Sequence, residues 1–238
     1  MKQSLVLLPG LLCDAALWEP QTSGLADVAE FFVADFTSQD SIGEMAATVL
    51  RDAPCKKFAL AGLSMGGYVA QEIMRQSPQR VTKLALLDTR SRAELPEETE
   101  RRQELMQLAQ SGRNFTPVTN RMLPFLVHAS RINEAPLVEV IRDMAQRIGI
   151  EAYLRQQHAI IARPDYRTLL AEISCPTVVL CGRQDRLTPL ENSEQMAKSI
   201  PGADLVIVEE CGHMSTLERP AQVNSALRTW LARSRASQ

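Results

Sequence analysis

The 238-residue sequence predicts an α/β protein: a mostly parallel sheet of about six strands with helices on both faces. Three observations predict it: six short apolar runs, helical stretches between most of them, and one long helical interval that breaks the alternation. Nearly continuous apolar runs suit strands that are buried on both faces of a parallel sheet. Strands that alternate with helices are typical of a doubly wound sheet.

The predicted strands are rich in leucine, alanine or β-branched residues. They lie at 4–8, 31–34, 58–62, 84–88, 177–181 and 205–208. The helices predicted between and after them run from Ala15 to Leu25, Ile42 to Arg51, Met65 to Gln76, Leu190 to Ser199 and Ala221 to Ala232.

The interval 90–173 contains no convincing strand. It opens on Pro96-Glu97-Glu98, a helix-start pattern with acidic residues in the first turn. Apolar residues then recur at helical spacing, and Gly149 is among the residues that divide the interval into about four helices. We therefore expect 90–173 to be a helical cap inserted after the fourth strand, with 1–89 and 174–238 forming the core domain.

The predicted cap carries two groups of side chains with two interpretations each. Large apolar residues either shape an acyl or ring site or only pack the cap onto the core; they are Met106, Phe115, Met122, Phe125 and Met144. Arginines either clamp a substrate carboxylate or form solvated helix faces; they are Arg113, Arg121, Arg131, Arg155 and Arg163.

The candidate nucleophile is Ser64, the centre of the G-x-S-x-G run at 62–66. An apolar strand leads into this run and a helical stretch follows it. A sharp strand-to-helix turn holds its central side chain up at the top of the sheet, and the two glycines leave room for strand and helix to approach. The turn also places the serine at a helix N-terminus, which favours developing negative charge.

The sequence offers one histidine in the right place to serve as base. His213 follows Gly212 on a loop after the sixth predicted strand, whereas His128 and His158 lie in stretches that read as helical and are expected at the surface or in packing. Asp185, after the fifth strand, is the favoured acid, and Asp88, after the fourth, is the competing one. We expect Asp88 to cap or anchor the segment that follows it.

Two main-chain N–H groups are predicted to stabilise an oxyanion. One belongs to Met65, directly after Ser64, and the other to Leu11, on the loop that follows the first strand. Gly10 allows that loop a tight approach.

These motifs resemble those of the α/β-hydrolase superfamily. The matching residues are Leu8-Pro9-Gly10-Leu11, Gly62-Leu63-Ser64-Met65-Gly66-Gly67, Gly182-Arg183-Gln184-Asp185 and Gly212-His213. The sequence around Ser64 is similar to that of small esterases and enol-lactonases such as 3-oxoadipate enol-lactonase. Many relatives carry His-Gly where this chain has Pro9-Gly10, and many begin with an antiparallel hairpin, so the resemblance implies a trimmed sheet.

Composition excludes several other classes of protein. The formal net charge is −2 with both signs interspersed, which argues against a nucleic-acid or polybasic membrane surface. The odd number of cysteines, 5, without C-x-x-C spacing, predicts reduced thiols and a cytoplasmic protein; Cys13 and Cys211 are interpreted as packing residues. We expect no cofactor and no metal site, and a homo-oligomer is left open.

The sequence therefore predicts a serine hydrolase that cleaves a small ester or lactone through Ser64, His213 and Asp185, with a small-molecule substrate. The same residues also serve carbon–carbon bond hydrolysis and thioester cleavage. A third reading is a non-catalytic small-molecule binding protein that keeps the hydrolase fold.

Overall fold

The computed structural model describes residues 2–111 and 120–233. Its sheet has six strands in the spatial order β2-β1-β3-β4-β5-β6, and each of the five neighbouring pairs is parallel. The strands are β1 (Gln3–Leu8), β2 (Ala29–Val33), β3 (Phe58–Leu63), β4 (Val81–Leu87), β5 (Thr177–Gly182) and β6 (Asp204–Val208). The prediction of a mostly parallel six-stranded sheet is confirmed.

Helices join the strands in the predicted alternation. They are α1 (Glu19–Gly24), α2 (Ile42–Asp52), α3 (Met65–Gln76), α4 (Pro96–Gln110), α5 (Leu123–Leu126), α6 (Ala135–Ile161), α7 (Leu190–Ser199), α8 (Ser215–Glu218) and α9 (Pro220–Ala232). None of the helices in the described ranges is both long and apolar enough to cross a lipid bilayer.

The sheet separates two hydrophobic clusters. Along β1 the side chains alternate, so Leu5 and Leu7 join the cluster that contains residues of α9, while Val6 and Leu8 join the cluster that contains residues of α2 and α3. All four are at most 1% exposed. The sheet is thus covered on both faces, which is why its strands are apolar throughout and do not alternate with polar residues.

The described residues between β4 and β5 form helices and loops but no strand. We call 90–173 the helical insertion. Within it, α6 bends at Gly149, whose φ of 73° and ψ of 174° are not helical. The bend lets Met144, before it, pack in the α9-side cluster and Ile160, after it, pack in the α2/α3-side cluster. Whether the insertion is a separate cap domain stays a prediction. Two residues that the sequence analysis singled out in it, Arg113 and Phe115, lie outside the described residues.

Candidate active site

Ser64 occupies the turn between β3 and α3 with backbone angles that few L-residues adopt. Its φ is 55° and its ψ is −116°. The turn is too tight for a side chain at the flanking glycines: a Cβ on Gly62 would lie 2.2 Å from the Gly66 carbonyl oxygen, and a Cβ on Gly66 would lie 2.1 Å from the Leu8 carbonyl oxygen. Glycine at these two positions therefore permits the strained conformation that lifts Ser64 above the sheet.

Hydrogen bonds from the end of β4 and from Thr89, two residues after it, hold this turn in place. The Ser64 N–H donates to the Leu87 carbonyl oxygen at 3.0 Å. The Thr89 hydroxyl donates to the Ser64 carbonyl oxygen at 2.7 Å. Thr89 was not singled out from sequence, because its only signal is that it follows the strand next to β3.

His213 and Asp185 are in direct contact. His213 Nδ1 lies 2.8 Å from Asp185 Oδ2, and both residues are only 4% exposed. The loops that carry them also touch, since a Cβ on Gly182 would lie 2.0 Å from the Gly212 carbonyl oxygen. Because Nδ1 faces the carboxylate, Nε2 is the ring nitrogen that remains for proton transfer.

Residues 182–189, which we call the acid loop, fold around the Asp185 carboxylate. Oδ1 accepts from the N–H groups of Leu187 at 2.8 Å and Thr188 at 3.0 Å, and Oδ2 accepts from the Thr188 hydroxyl at 2.6 Å. These bonds orient the carboxylate toward the imidazole and favour its charged form. Thr188 is a second residue that the sequence analysis missed.

The structure joins the predicted acid to the predicted base but does not join that base to Ser64. Ser64, Asp185 and His213 follow β3, β5 and β6 at the carboxyl edge of the sheet. Within the described residues the half-buried Ser64 hydroxyl has no hydrogen-bond partner. Contacts between a nucleophile and its base are often looser before substrate binds.

Electrostatics strengthen His213 as a base. Burial lowers the pKa of His213, but the charge of Asp185 and the hydrogen bond to it outweigh burial, so the pKa is raised above its usual 6.5. Burial raises the pKa of Asp185, but the charge and hydrogen bond of His213, followed by the Thr188 bonds, outweigh it and lower the pKa. The pair therefore favours an ionised carboxylate beside an imidazole that accepts a proton readily.

Asp88 lies beside Asp185 but does not hydrogen-bond to His213. Its Oδ1 accepts from the Gly182 N–H at 2.9 Å, and its Oδ2 accepts from the Ser215 hydroxyl. The prediction that Asp88 caps the segment after it is wrong, because its partners lie at the end of β5 and the start of α8. A buried carboxylate takes whichever donors the packed elements present, and here those are the acid loop and the helix after His213.

Asp88 and Asp185 also come near the Cys181 thiol, and one ligand atom of each lies within 4.8 Å of the others. All four carboxylate oxygens of the two aspartates already accept from protein donors. Burial, followed by the charges of Asp88 and Asp185, raises the pKa of Cys181, so the thiol keeps its proton. Burial also raises the pKa of Asp88. This donor set does not suit a metal ion, which needs deprotonated ligands.

The loop after β1 contacts Ser64. A Cβ on Gly10 would lie 3.3 Å from the Ser64 Cβ, so the next residue, Leu11, lies near Ser64. In the described part of the chain, the main-chain N–H groups of Leu11 and Met65 donate to no other group. Both predicted oxyanion donors are thus uncommitted within the fold.

Gln156 of α6 forms a hydrogen bond with the loop after β1, a contact that the sequence analysis missed. Its Oε1 accepts from the Leu12 N–H at 3.0 Å, and its Nε2 donates to the Phe36 carbonyl oxygen at 3.1 Å. Gln156 is fully buried, and Leu12 has a positive φ of 61°. The bond supports a strained residue next to Leu11.

The other candidates from sequence do not join the cluster. Cys13 and Cys211 are buried packing residues, and burial together with Asp14 raises the pKa of the Cys13 thiol to about 12. His158 is exposed on α6. His128 lines, with Asp185 and Arg186, a cavity of about 400 Å³ on the insertion side of the acid loop.

Most of the described arginines and apolar residues singled out in the insertion contact protein groups. Arg131 pairs with Glu134, Arg155 donates to the Thr37 carbonyl oxygen, and Arg163 pairs with Glu94. Arg121 is exposed. Met106 and Met144 are buried, Met122 and Phe125 are half-buried, and the Phe125 ring is flanked by Arg101 and Arg186.

Comparison with known proteins agrees with this fold. The profile of the alpha/beta hydrolase family matches residues 5–226, and the chain belongs to that family. The chain is 27% identical over 232 residues to the pimeloyl-[acyl-carrier protein] methyl ester esterase of Nitrosomonas europaea, covering 92% of this chain and 91% of the esterase.

Two solved structures share the fold. A thermophilic esterase from Thermogutta terrifontis, solved with malate bound, superposes with a TM-score of 0.87 and 31% identity, over 97% of this chain and 90% of that one. The enol-lactonase of Burkholderia xenovorans superposes with a TM-score of 0.87 and 22% identity, over 98% and 92%. The predicted likeness to esterases and enol-lactonases is confirmed, and the chain is a hydrolase of this family.

Proposed function

We propose that this hydrolase cleaves a small carboxylic ester or lactone through an acyl-enzyme on Ser64. The observation that carries the proposal is the buried His213–Asp185 pair, 2.8 Å between Nδ1 and Oδ2, at the same sheet edge as Ser64 in its strained turn. An ester is favoured because the sequence relative and the 31%-identical structural neighbour named above are both called esterases.

In the first half-reaction, Ser64 Oγ bonds to the carbonyl carbon while its proton passes to His213 Nε2. The carbonyl π electrons move to oxygen, where the N–H groups of Leu11 and Met65 stabilise the negative charge. Asp185 stabilises the imidazolium that forms. Collapse of the intermediate breaks the bond to the alkoxy oxygen, which takes the proton from His213.

In the second half-reaction, water replaces the alcohol. His213 accepts a proton from water as its oxygen bonds to the acyl carbon, and collapse breaks the bond to Ser64 Oγ, which regains the proton. The products are one carboxylic acid and one alcohol, or a single hydroxy acid when the substrate is a lactone.

We infer that the helical insertion acts as the cap over this site. Two contacts support the inference: Gln156 of α6 binds the loop after β1, and the Leu126 carbonyl oxygen of α5 accepts from the His213 N–H at 3.1 Å. A cap that touches both loops is placed to exclude water from the acyl-enzyme and to shape the acyl pocket.

The test is intact-mass detection of a fluorophosphonate adduct. The wild-type chain should gain one adduct, and Ser64→Ala and His213→Ala should gain none. Ser91→Ala is the matched control, because Ser91 is another buried serine that follows a strand at this edge, and it should label fully. An unlabelled wild-type chain that is folded would contradict the proposal.

A positive result leads to a substrate panel of short aryl and alkyl esters, lactones, thioesters and β-diketones. The proposal is supported if esters or lactones have the highest kcat/KM of the whole panel. Preference for a thioester or a β-diketone would keep the acyl-enzyme chemistry but replace the substrate class.

A further inference from the structure

Glu218, the last residue of α8, is a buried carboxylate whose partners are main-chain amides. It is 2% exposed. Its Oε1 accepts from the N–H groups of Gly212 at 2.9 Å and Met214 at 3.3 Å, and its Oε2 accepts from the His128 N–H at 2.7 Å. Gly212 and Met214 flank His213, so a single side chain bonds to the main chain on either side of the predicted base.

The loop that carries His213, residues 209–214, also packs against the helical insertion. The N–H groups of His213 and Met214 both donate to the Leu126 carbonyl oxygen, each at 3.1 Å. A Cβ on Gly212 would lie 2.7 Å from the Val127 carbonyl carbon and 2.8 Å from the His128 nitrogen. The loop and the segment after α5 therefore lie in close main-chain contact, and Glu218 bonds to both sides of it.

A neutral side chain cannot reproduce these bonds. A glutamine offers one acceptor oxygen, and its NH₂ group would face an N–H donor. Amide hydrogen bonds to a carboxylate are charge-assisted and stronger than those to a neutral acceptor. Three convergent amides are thus a site for an ionised carboxylate, although the position is almost closed to water.

Among the described residues, charged and titratable groups also lie around Glu218. Arg131 donates to the Glu218 carbonyl oxygen, and the Cys211 thiol lies 3.9 Å from Oε1. Burial raises the pKa of Glu218 and the three amides lower it, with a net increase. Around His213, the charges of Asp185, Asp88 and Glu218 all raise the pKa of the imidazole.

We propose that Glu218 is a positioning residue for His213: its carboxylate holds the main chain on both sides of the imidazole against the insertion and keeps a negative charge near the ring. This proposal rests on the proposed role of His213 as the general base. A purely structural Glu218 would stabilise the fold without affecting the imidazole, and the experiment separates the two roles.

The first measurement does not need turnover. Histidine labelled with ¹³C and ¹⁵N gives three sets of ring signals, since the chain has three histidines, and His128→Asn and His158→Asn variants assign them. Titration should place the pKa of His213 lower in Glu218→Gln than in the wild-type chain, by roughly 0.5 unit or more, because a nearby negative charge is removed.

Glu72→Gln is the matched control. Glu72 is also 2% exposed, but its carboxylate bonds to Arg75, Gln76 and Tyr166 on the α3 side of the sheet. This variant should lower Tm and leave the pKa of His213 unchanged. With an ester substrate, Glu218→Gln should lower kcat roughly tenfold or more with KM changed less than about threefold, because the base is misplaced.

Glu218→Asp keeps the charge but withdraws it by one methylene, and it provides a second variant if Glu218→Gln does not fold. It should preserve most of the elevation of the His213 pKa and still lower kcat. If the folded variants lose Tm as Glu72→Gln does while the His213 pKa and kcat stay at wild-type values, the proposal is overturned. A shifted His213 pKa in a chain that takes no fluorophosphonate would support the positioning contact and contradict the proposed hydrolase mechanism instead.

Discussion

A carboxylate oxygen of Asp88 lies within 4.8 Å of a carboxylate oxygen of Asp185, and both side chains are buried. Two carboxylates this close cannot both ionise easily. Burial, followed by the charge of Asp185, raises the pKa of Asp88 to about 8, whereas His213 keeps Asp185 ionised. One carboxylate is thus the partner of the imidazole, and the other links the acid loop to α8.

The two aspartates should respond differently to amidation. Asp185→Asn should lower kcat roughly 10³- to 10⁴-fold, because an amide no longer fixes the imidazole tautomer or stabilises the imidazolium. Asp88→Asn should retain activity within about tenfold, because an amide can accept from Gly182 and bond to Ser215. Ester turnover by both variants is the measurement, and the reverse ranking would make Asp88 the acid.

Asp88→Asn should also stabilise the protein in a pH-dependent way. The folded-state pKa of Asp88, about 8, lies above its ordinary 3.8, so ionisation of Asp88 opposes folding. The contribution of Asp88 therefore lowers the free energy of unfolding progressively as pH rises from about 4 to 8. The gain in Tm over wild type should be roughly 2 to 4 °C or more larger at pH 8 than at pH 5.

Asp27→Asn is the control for this effect. Asp27 is an exposed carboxylate, and its hydrogen bond with Arg228 lowers its pKa. Its amide variant should show no growing gain in Tm toward pH 8. A flat or falling difference for Asp88→Asn over the same range would mean that the Asp88 carboxylate is ionised at little cost.

The pH dependence of kcat/KM should report His213. The imidazole must be neutral to accept a proton, so activity should be lost as pH falls through its pKa. Because the charge of Asp185, the hydrogen bond to it and the charge of Glu218 raise that pKa, the acid limb should lie above pH 6.5. A rate profile from pH 5 to 9 checks this, and an acid limb below 6.5 would show that burial outweighs these two carboxylates.

Gln156→Leu should slow catalysis without greatly weakening binding. The substitution removes the acceptor for Leu12 and loosens the loop that presents the Leu11 N–H, so kcat should fall roughly tenfold with little change in KM. Gln156→Glu keeps an acceptor oxygen and should recover part of this loss.

Gln157→Leu is the matched control for the same helix. Gln157 is buried beside Gln156, but its Oε1 accepts from Arg102 at 2.7 Å. Loss of the hydrogen bond between Gln157 and Arg102 should lower Tm and leave kcat near the wild-type value. Equal kcat in Gln156→Leu and Gln157→Leu would remove the Gln156 contact from the mechanism.

Gly149→Ala should destabilise the protein even though no atom of the described residues stands within 4 Å of the added Cβ. With φ at 73° and ψ at 174°, Gly149 occupies a region that is essentially restricted to glycine, so alanine should cost roughly 1–3 kcal/mol in the free energy of unfolding.

Gly43→Ala, in α2, is the comparison. Its nearest neighbour to an added Cβ is a Glu72 oxygen at 3.9 Å, and alanine in a helix should be neutral or stabilising by about 0.5–1 kcal/mol. Thermal denaturation of the two variants tests the difference, and equal Tm values would mean that the chain relaxes at the bend in α6.

The sequence by itself determined the strands, the turn at Ser64 and the loops that carry Asp185 and His213. Local rules suffice there: buried parallel strands are apolar throughout, and a turn with crossing main chains tolerates only glycine at positions such as Gly62 and Gly66. The contact between Gly62 and Gly66 acts within one turn of the chain, so it is legible in the order of residues, although a Cβ at position 66 would also meet the Leu8 carbonyl oxygen of β1.

Only the tertiary structure decided which carboxylate reaches His213, and which side chains hold the loops. Asp185 and Asp88 both follow strands, and nothing in the sequence assigns Gly182 and Ser215 to Asp88. Gln156 and Glu218 read as ordinary polar residues on helices, because their partners come from other elements and from main-chain amides. A buried polar group is satisfied by whatever packing places beside it, and that placement depends on the whole fold.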